Sequence, residues 1–374
     1  MVERANETCA LDVGTVVSGG GTVTIMHNIK LLTEDGETFE FDCAEGEDVL
    51  SAGLRNNVIL MSECRKGVCT TCRVLCAEGE FDLGKGVNVY SLPPEDQEEG
   101  YTLLCQTFPR SDLVVELPYG SDRVTFGSAD FERTFPMIIA GVTRWTKHVM
   151  SLELRFADGS VTDFAFRPGQ YVNLRVPGTD KWRSFSMANG PDFKTENGPR
   201  VELMIRLLED GEFSKYLCGQ AKVGDTIDMR GPFGNFTVRN SDGRRRCFVA
   251  GSTGLAPLVS MLRELAKKGD TTPATLIFGM RSKEYLFYEE ELKALAHSLP
   301  ALDLRLTLES GHDGWSGRCG SVADVFADVM REARSDAEVY ICGPAGMVGS
   351  VEGIARTYKV PSGRIFTEPF QASG

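Results

Sequence analysis

Cys64, Cys69 and Cys72 stand in the order C-x4-C-x2-C, and Cys105 follows at a distance. Four thiolates at this spacing hold a [2Fe–2S] cluster near a protein surface. Gly67 lets the chain turn tightly around an inorganic core, while the small Thr70 and Thr71 leave amide N–H groups to point at sulfur. Adding Cys76 gives C-x4-C-x2-C-x3-C, which matches neither the usual zinc spacings nor the C-x2-C-x2-C run of cubane clusters. A Rieske centre needs two histidine ligands, and none lies near these cysteines. Four buried structural cysteines are the bland alternative, and the regular spacing speaks against it.

A second group of residues suits a dinucleotide. In Trp182-Arg183-Ser-Phe185-Ser186 one strand offers a guanidinium fork for pyrophosphate, a hydroxyl for a ring nitrogen and an aromatic stacking face. The segment from Arg206 to Tyr216 carries Gly211, Phe213 and Ser214 where a helix is expected to start, and helix N-termini present unpaired N–H groups to phosphate. A third group follows an apolar run. Gly251-Ser-Thr253-Gly254-Leu-Ala-Pro257 opens a helix, the context in which a glycine turn cradles a pyrophosphate, although it lacks the G-x-G-x-x-G order. Phe278-Gly-Met-Arg281-Ser and Tyr340-Ile-Cys342-Gly343-Pro344 are expected at the carboxyl ends of strands, where open α/β sheets bind ligands. Hydride transfer between ring carbons needs placement and exclusion of solvent, not a side-chain nucleophile. The four histidines are unclustered, and the lone Glu309-x-x-His312 contains Gly311 and has no second copy.

The elements that must position these residues are legible in outline. Ile29 to Leu32 and Thr38 to Phe41 read as a hairpin around Asp35-Gly36, and Asp48 caps a short helix to Arg55. Runs at Pro136–Thr143, Met150–Phe156, Tyr171–Val176, Arg200–Leu207 and Thr226–Arg230 predict a small antiparallel barrel. From Cys247 the pattern alternates: strands 247–250, 274–279, 303–308 and 338–342, with helices 257–267, 289–298 and 322–331. A parallel sheet follows. The expected division is an N-terminal extension over 1–26, a cluster domain over 27–118, a linker over 119–133, a flavin barrel over 134–240 and a nicotinamide domain over 241–374. The extension is expected to be disordered.

At 374 residues and 42% hydrophobic content, the chain can build several globular cores. No apolar run reaches the eighteen or so residues that span a bilayer, and no secretory signal is recognisable, so a cytoplasmic location is expected. Eleven cysteines in such a chain are not a disulfide framework; Cys218, Cys247 and Cys319 are expected to be packing residues. Residues 28–120 hold 7 Lys/Arg against 18 Asp/Glu, or −11 of the total −13. That field repels nucleic acid and attracts a basic patch on a protein partner.

Hairpin, helix, cysteine loop and returning Cys105 resemble the β-grasp fold of plant-type ferredoxins over roughly residues 27–118. The later motifs resemble the ferredoxin–NADP⁺ reductase superfamily. Arg183, Phe185 and Ser186 match its R-x-[FY]-[ST] flavin motif, Gly211, Phe213 and Ser214 its second phosphate turn, and Gly251, Thr253, Gly254 and Pro257 its G-x-T-G-x-[AS]-P. Arg206 opens the segment carrying that second turn. By the resemblance, Arg183 neutralises the FAD phosphates, Cys342 and Gly343 flank the nicotinamide, and Glu368 and Phe370 sit beside the flavin. Arg281 and Lys283 could grip a 2′-phosphate and Glu284 would repel one, but F-G-x-R…L-F-Y-x-E-E-L resembles NADH-using members.

Module order, together with Leu104-Cys-Gln-Thr-Phe-Pro-Arg-Ser-Asp-Leu113 and Phe370-Gln-Ala-Ser-Gly374, resembles the reductase components of soluble methane, alkane and alkene monooxygenases. That resemblance implies FAD, a [2Fe–2S] cluster and NADH as cofactors and a di-iron hydroxylase as partner, with no membrane and no nucleic acid. A reductase for an aromatic-ring dioxygenase or phenol hydroxylase shares the architecture. A redox-sensing iron–sulfur protein is the alternative from another class.

Overall fold

The computed structural model describes residues 24–370, apart from 63, 64, 69, 127–133, 160, 162, 163, 197, 240–242, 312, 334 and 335. The extension expected over residues 1–26 therefore lies almost wholly outside the described residues, as do the ligand candidates Cys64 and Cys69.

The first module is a five-stranded mixed sheet. Strands β1 (Met26–Leu32) and β2 (Thr38–Ala44) form the predicted antiparallel hairpin, and helix α1 (Val49–Arg55) follows. Asp48 caps α1 as the sequence implies, its carboxylate accepting from Ser51 N at 2.9 Å. After the cysteine loop come β3 (Arg73–Glu78), α2 (Pro94–Glu98), β4 (Tyr101–Leu103) and β5 (Leu113–Glu116). The order is β2-β1-β5-β3-β4, and β5 runs parallel to β1 at the centre. Alternating Ile29, Leu31, Phe41, Leu113 and Val115 fill one core with α1. The linker begins later than expected. Tyr119 is buried in this core and Val58-Ile59 pairs with Thr125-Phe126, so residues up to 126 belong to the first module.

The second module is built from β6 (Thr134–Arg144), β7 (Val149–Phe156), β8 (Tyr171–Arg175), β9 (Trp182–Ser186), β10 (Lys194–Thr195) and β11 (Gly198–Arg206), then helix α3 (Glu212–Gly219) and β12 (Thr226–Phe233). The antiparallel order is β9-β8-β12-β6-β7-β11-β10. A bridge from Met187, just past β9, to Leu203 of β11 brings the sheet round on itself as a barrel.

The third module alternates β13 (Arg245–Gly251), α4 (Leu255–Lys267), β14 (Ala274–Met280), α5 (Glu289–Ser298), β15 (Leu302–Leu308), β16 (Arg318–Cys319), α6 (Val322–Ala333), β17 (Ala337–Pro344), α7 (Ala345–Thr357) and β18 (Ile365–Phe370). The six strands are parallel in the order β16-β15-β14-β13-β17-β18. β14 is buried at every position, as a strand covered on both faces must be.

The modules differ in how they join. One apolar core takes Val149, Ala188, Met204 and Phe236 from the barrel together with α4, α5 and one face of the parallel sheet. Arg263 of α4 reinforces it by donating to Ala188 O at 2.8 Å and to Glu202 Oε2 at 2.6 Å. Barrel and parallel sheet are thus one body. The first module keeps its core to itself, and every member of that core lies between Ile29 and Val124.

Candidate functional site

The cysteine loop turns at Gly67, whose φ of 75° lies in the left-handed region and whose missing Cβ would stand 2.7 Å from Gly86 O. On its far side Cys72 and Cys105 are buried with Sγ atoms 3.4 Å apart. That separation is far beyond a disulfide bond of about 2 Å. It is close to the spacing, a little under about 4 Å, of two thiolates sharing one tetrahedral metal. These two residues fit a thiolate-held cluster.

The flavin motif occupies β9, on the barrel edge that faces the third module. Arg183 is half-buried and donates to Trp182 O at 3.0 Å, Phe185 lies 5.2 Å from the ring of Phe213, and Ser186 is buried. Phe213 and Ser214 sit in the first turn of α3, with Gly211 as its N-cap. The Ser214 hydroxyl accepts from Leu208 N at 2.9 Å and so pins the turn that presents the helix start. Glu368 of β18 reaches across to accept from Ser186 Oγ at 3.2 Å, so the last strand and the flavin motif meet directly. Phe370, two residues on, packs against the shared core.

The nicotinamide motif forms the floor of a second cleft, of about 280 Å³, lined by Gly251, Ser252, Arg281, Glu309, Pro344 and Met347 from the third module and by His148 and Arg206 from the barrel. It opens at the carboxyl ends of the strands. Gly254 is required sterically, since a Cβ there would come 2.2 Å from Cys342 O. Ser252 holds a φ of 53°, an unusual conformation for a residue with a side chain, at the turn that lines the cleft. Thr253 and Pro257 are buried in the turn and in α4, where they shape the backbone from below. A glycine-floored cleft at a helix start, with Arg281 and Arg206 at its rim, fits a pyrophosphate. His148 also faces it, its ring stacked 4.4 Å from Tyr285 and its Nε2 without a partner among the described residues.

Cys342 is wholly enclosed beside Glu368, the two being paired in register across β17 and β18. Burial pushes its thiol well above the ordinary range, and the Glu368 carboxylate adds to the effect. It stays a neutral thiol. Of the cysteines expected to be packing residues, Cys247 is buried with its thiol pushed up to about 12, whereas Cys218 and Cys319 are exposed.

Two residues lining the cleft stand outside the sequence motifs. Glu309 belongs in the sequence only to a Glu-x-x-His, yet it follows β15 directly at its carboxyl end. Its position just beyond an apolar strand was the available signal. His148, from the turn between β6 and β7, had no local signal at all.

The loop meets both the last strand and the barrel. Thr70 Oγ1 donates to Thr367 O at 2.7 Å, and Asn235 Nδ2, just beyond β12, donates to Thr71 O at 2.9 Å. A cluster-binding loop, a flavin motif and a dinucleotide cleft in sequence along one path define an iron–sulfur flavoprotein reductase.

Comparison with known proteins agrees. Residues 32–110 match the 2Fe-2S iron-sulfur cluster binding domain, 141–238 the oxidoreductase FAD-binding domain and 248–353 the oxidoreductase NAD-binding domain. The chain is 40% identical over 303 residues to methane monooxygenase component C of Methylosinus trichosporium, covering 80% of this chain and 86% of that one. It is 31% identical to the reductase component of propane 2-monooxygenase from Mycolicibacterium goodii, covering 88% and 94%. Among solved structures, a cytochrome P450 reductase from Amycolatopsis superposes with a TM-score of 0.66 at 26% identity, over 92% of this chain and all of that one. The chain belongs to the family of FAD- and [2Fe–2S]-containing, nicotinamide-dependent reductase components of multicomponent oxygenases. When bound, the flavin takes hydride and releases single electrons, and the cluster carries one at a time. Among the described residues, no helix is long and apolar enough to cross a membrane.

Proposed function

We propose that this chain is the NADH-dependent reductase component of a soluble di-iron monooxygenase, with electrons running from NADH through FAD and the [2Fe–2S] cluster to the hydroxylase. The carrying observation is the contact between Thr70 and Thr367, which sets the cysteine loop beside the strand whose next residue, Glu368, meets the flavin motif. In this reading Arg183 neutralises the FAD phosphates, Phe185 lies against the flavin and Ser186 hydrogen-bonds its ring. Gly211, Phe213 and Ser214 form the second phosphate turn, and Glu368 and Phe370 close the flavin site. Gly251, Thr253, Gly254 and Pro257 shape the dinucleotide turn, Arg206 and Arg281 hold its phosphates, and Cys342 and Gly343 flank the nicotinamide. Cys64 and Cys69 complete the cluster ligands with Cys72 and Cys105. The Glu309 carboxylate in the cleft suits a free ribose diol and repels a 2′-phosphate, which favours NADH.

The methane and propane monooxygenase relatives support a di-iron partner. Similarity to the electron transfer component of toluate 1,2-dioxygenase from Pseudomonas putida, 31% identical over 93% of this chain, keeps a ring dioxygenase as the second reading. Reconstitution decides between them. Hydroxylation of a short hydrocarbon with a di-iron hydroxylase is the expected result, and turnover only with a ring dioxygenase overturns it.

A further inference from the structure

The first module meets the rest of the molecule through a polar, self-neutralising contact. Asp96 of α2 has no exposed surface, yet it bonds to Arg73 of its own module at 2.5 Å and to Arg356 of α7. Arg73 in turn lies over the Tyr101 ring at 4.5 Å. Arg356 also donates to Glu352, one turn earlier on α7, at 2.9 Å, and Glu352 is buried as well. The four groups are two cations and two anions, one of each from either side. Near them the Tyr90 ring packs on Gly349, where a Cβ would come within 3.3 Å, and Thr70, Thr71 and Glu34 reach Thr367, Asn235 and Arg239.

We infer that this contact is a reversible electron-transfer dock, latched by the Arg73–Asp96 and Arg356–Glu352 pairs and aligned by Asn235, and that it must open for the cluster loop to meet an outside acceptor. Three observations carry it. Among the described residues no apolar core spans this interface, unlike the joint between barrel and parallel sheet, and polar interfaces between modules permit relative motion. Breaking a buried ion pair is costly chiefly because it strands a lone charge, but here each half leaves with its own counter-ion. Finally, the loop residues held by Thr367 and Asn235 directly precede Cys72, so this side of the loop is covered while docked. One electron crosses in the docked state, oxidising the flavin by one equivalent and reducing the cluster by one; no bond is made and no proton moves. Arg356 and Asn235 are positioning residues, since neither lies in the flavin motif or the dinucleotide cleft. The opening step rests on the reading of the cluster as exit port; the docked contact does not.

The test uses the full-length holoprotein. Glu352→Met/Arg356→Met removes one half of the latch as a neutral pair. NADH should reduce its flavin at the wild-type rate while cluster reduction, followed separately by stopped flow, slows about tenfold as the competent fraction falls. Small-angle scattering should show a larger radius of gyration with both cofactor potentials unchanged. Unchanged scattering and unchanged cluster reduction overturn the latch. In the opposite direction, Tyr90→Cys/Gly349→Cys, oxidised to a disulfide, should keep flavin-to-cluster transfer yet reduce cytochrome c slowly until a thiol reductant releases it. Cytochrome c reduction as fast in the locked form as in the released form overturns the opening step and leaves the scattering result to judge the dock.

Discussion

At the scale of single residues, roles separate cleanly because binding, placement and relay fall on different side chains. Cys72→Ser should remove the cluster, seen as lost acid-labile sulfide and lost cytochrome c reduction, while NADH still bleaches the flavin. On the proposed function Arg183 holds the FAD phosphates, a charged contact of about 1.5–3 kcal/mol, so Arg183→Ala should weaken FAD binding roughly ten- to a hundredfold, read by flavin content after gel filtration. Glu309→Ser should improve NADPH use by about tenfold, a modest share of what a like-charge contact costs, measured as the ratio of kcat/KM values. Thiol labelling supplies a check on burial. The thiolate is the reacting form, so the raised values of Cys342 and Cys247 keep both inert near neutral pH, and iodoacetamide should modify Cys218 and Cys319 before either of them. The motif residues were legible because their chemistry is local. His148 was not, since only the fold brings the β6–β7 turn over the cleft.

At the scale of elements, strands and caps with strong local signals were readable, and elements that depend on distant partners were not. The Asp48 cap is an example of the first kind. Asp48→Ala should cost about 1 kcal/mol and lower the temperature at which cluster absorption is lost, with flavin reduction unaffected. Helix α7 is an example of the second. Gly346, Gly349 and Gly353 weaken its intrinsic preference, yet Val348, Val351, Glu352 and Ala355 are buried at the i, i+3, i+4, i+7 spacing of a packed face. An acid in that stripe obscured the pattern, and its partner Arg356 is what permits its burial. Helix α2 hid similarly inside an acidic run. Pro94 at its start and acids in its first turn are valid helix signals, but nothing local in an acidic run marks Asp96 as the one that turns inward.

At the scale of the whole molecule, charge has two distinct uses. Residues 28–120 carry a balance of −11, and the exposed acids among them act at long range on a partner and are screened by salt, while the enclosed latch, Asp96 included, is screened little. Raising ionic strength should therefore slow delivery to the oxygenase and leave flavin-to-cluster transfer nearly constant, which stopped-flow traces at graded salt would separate. An equal loss in both steps would place the dock among the solvent-exposed interactions. The sequence conveyed three modules and their order, because each has its own periodicity. It did not convey their mutual placement, which depends on pairs such as Thr70 and Thr367, 297 residues apart.

That separation also bears on biosynthesis. The cysteine loop emerges early from the ribosome, and the strand that covers it is the last described element to emerge, so a folded first module waits with its loop uncovered through most of translation. Whatever donates iron and sulfide has open access during that interval. Chain position alone therefore has the loop made before the strand that covers it.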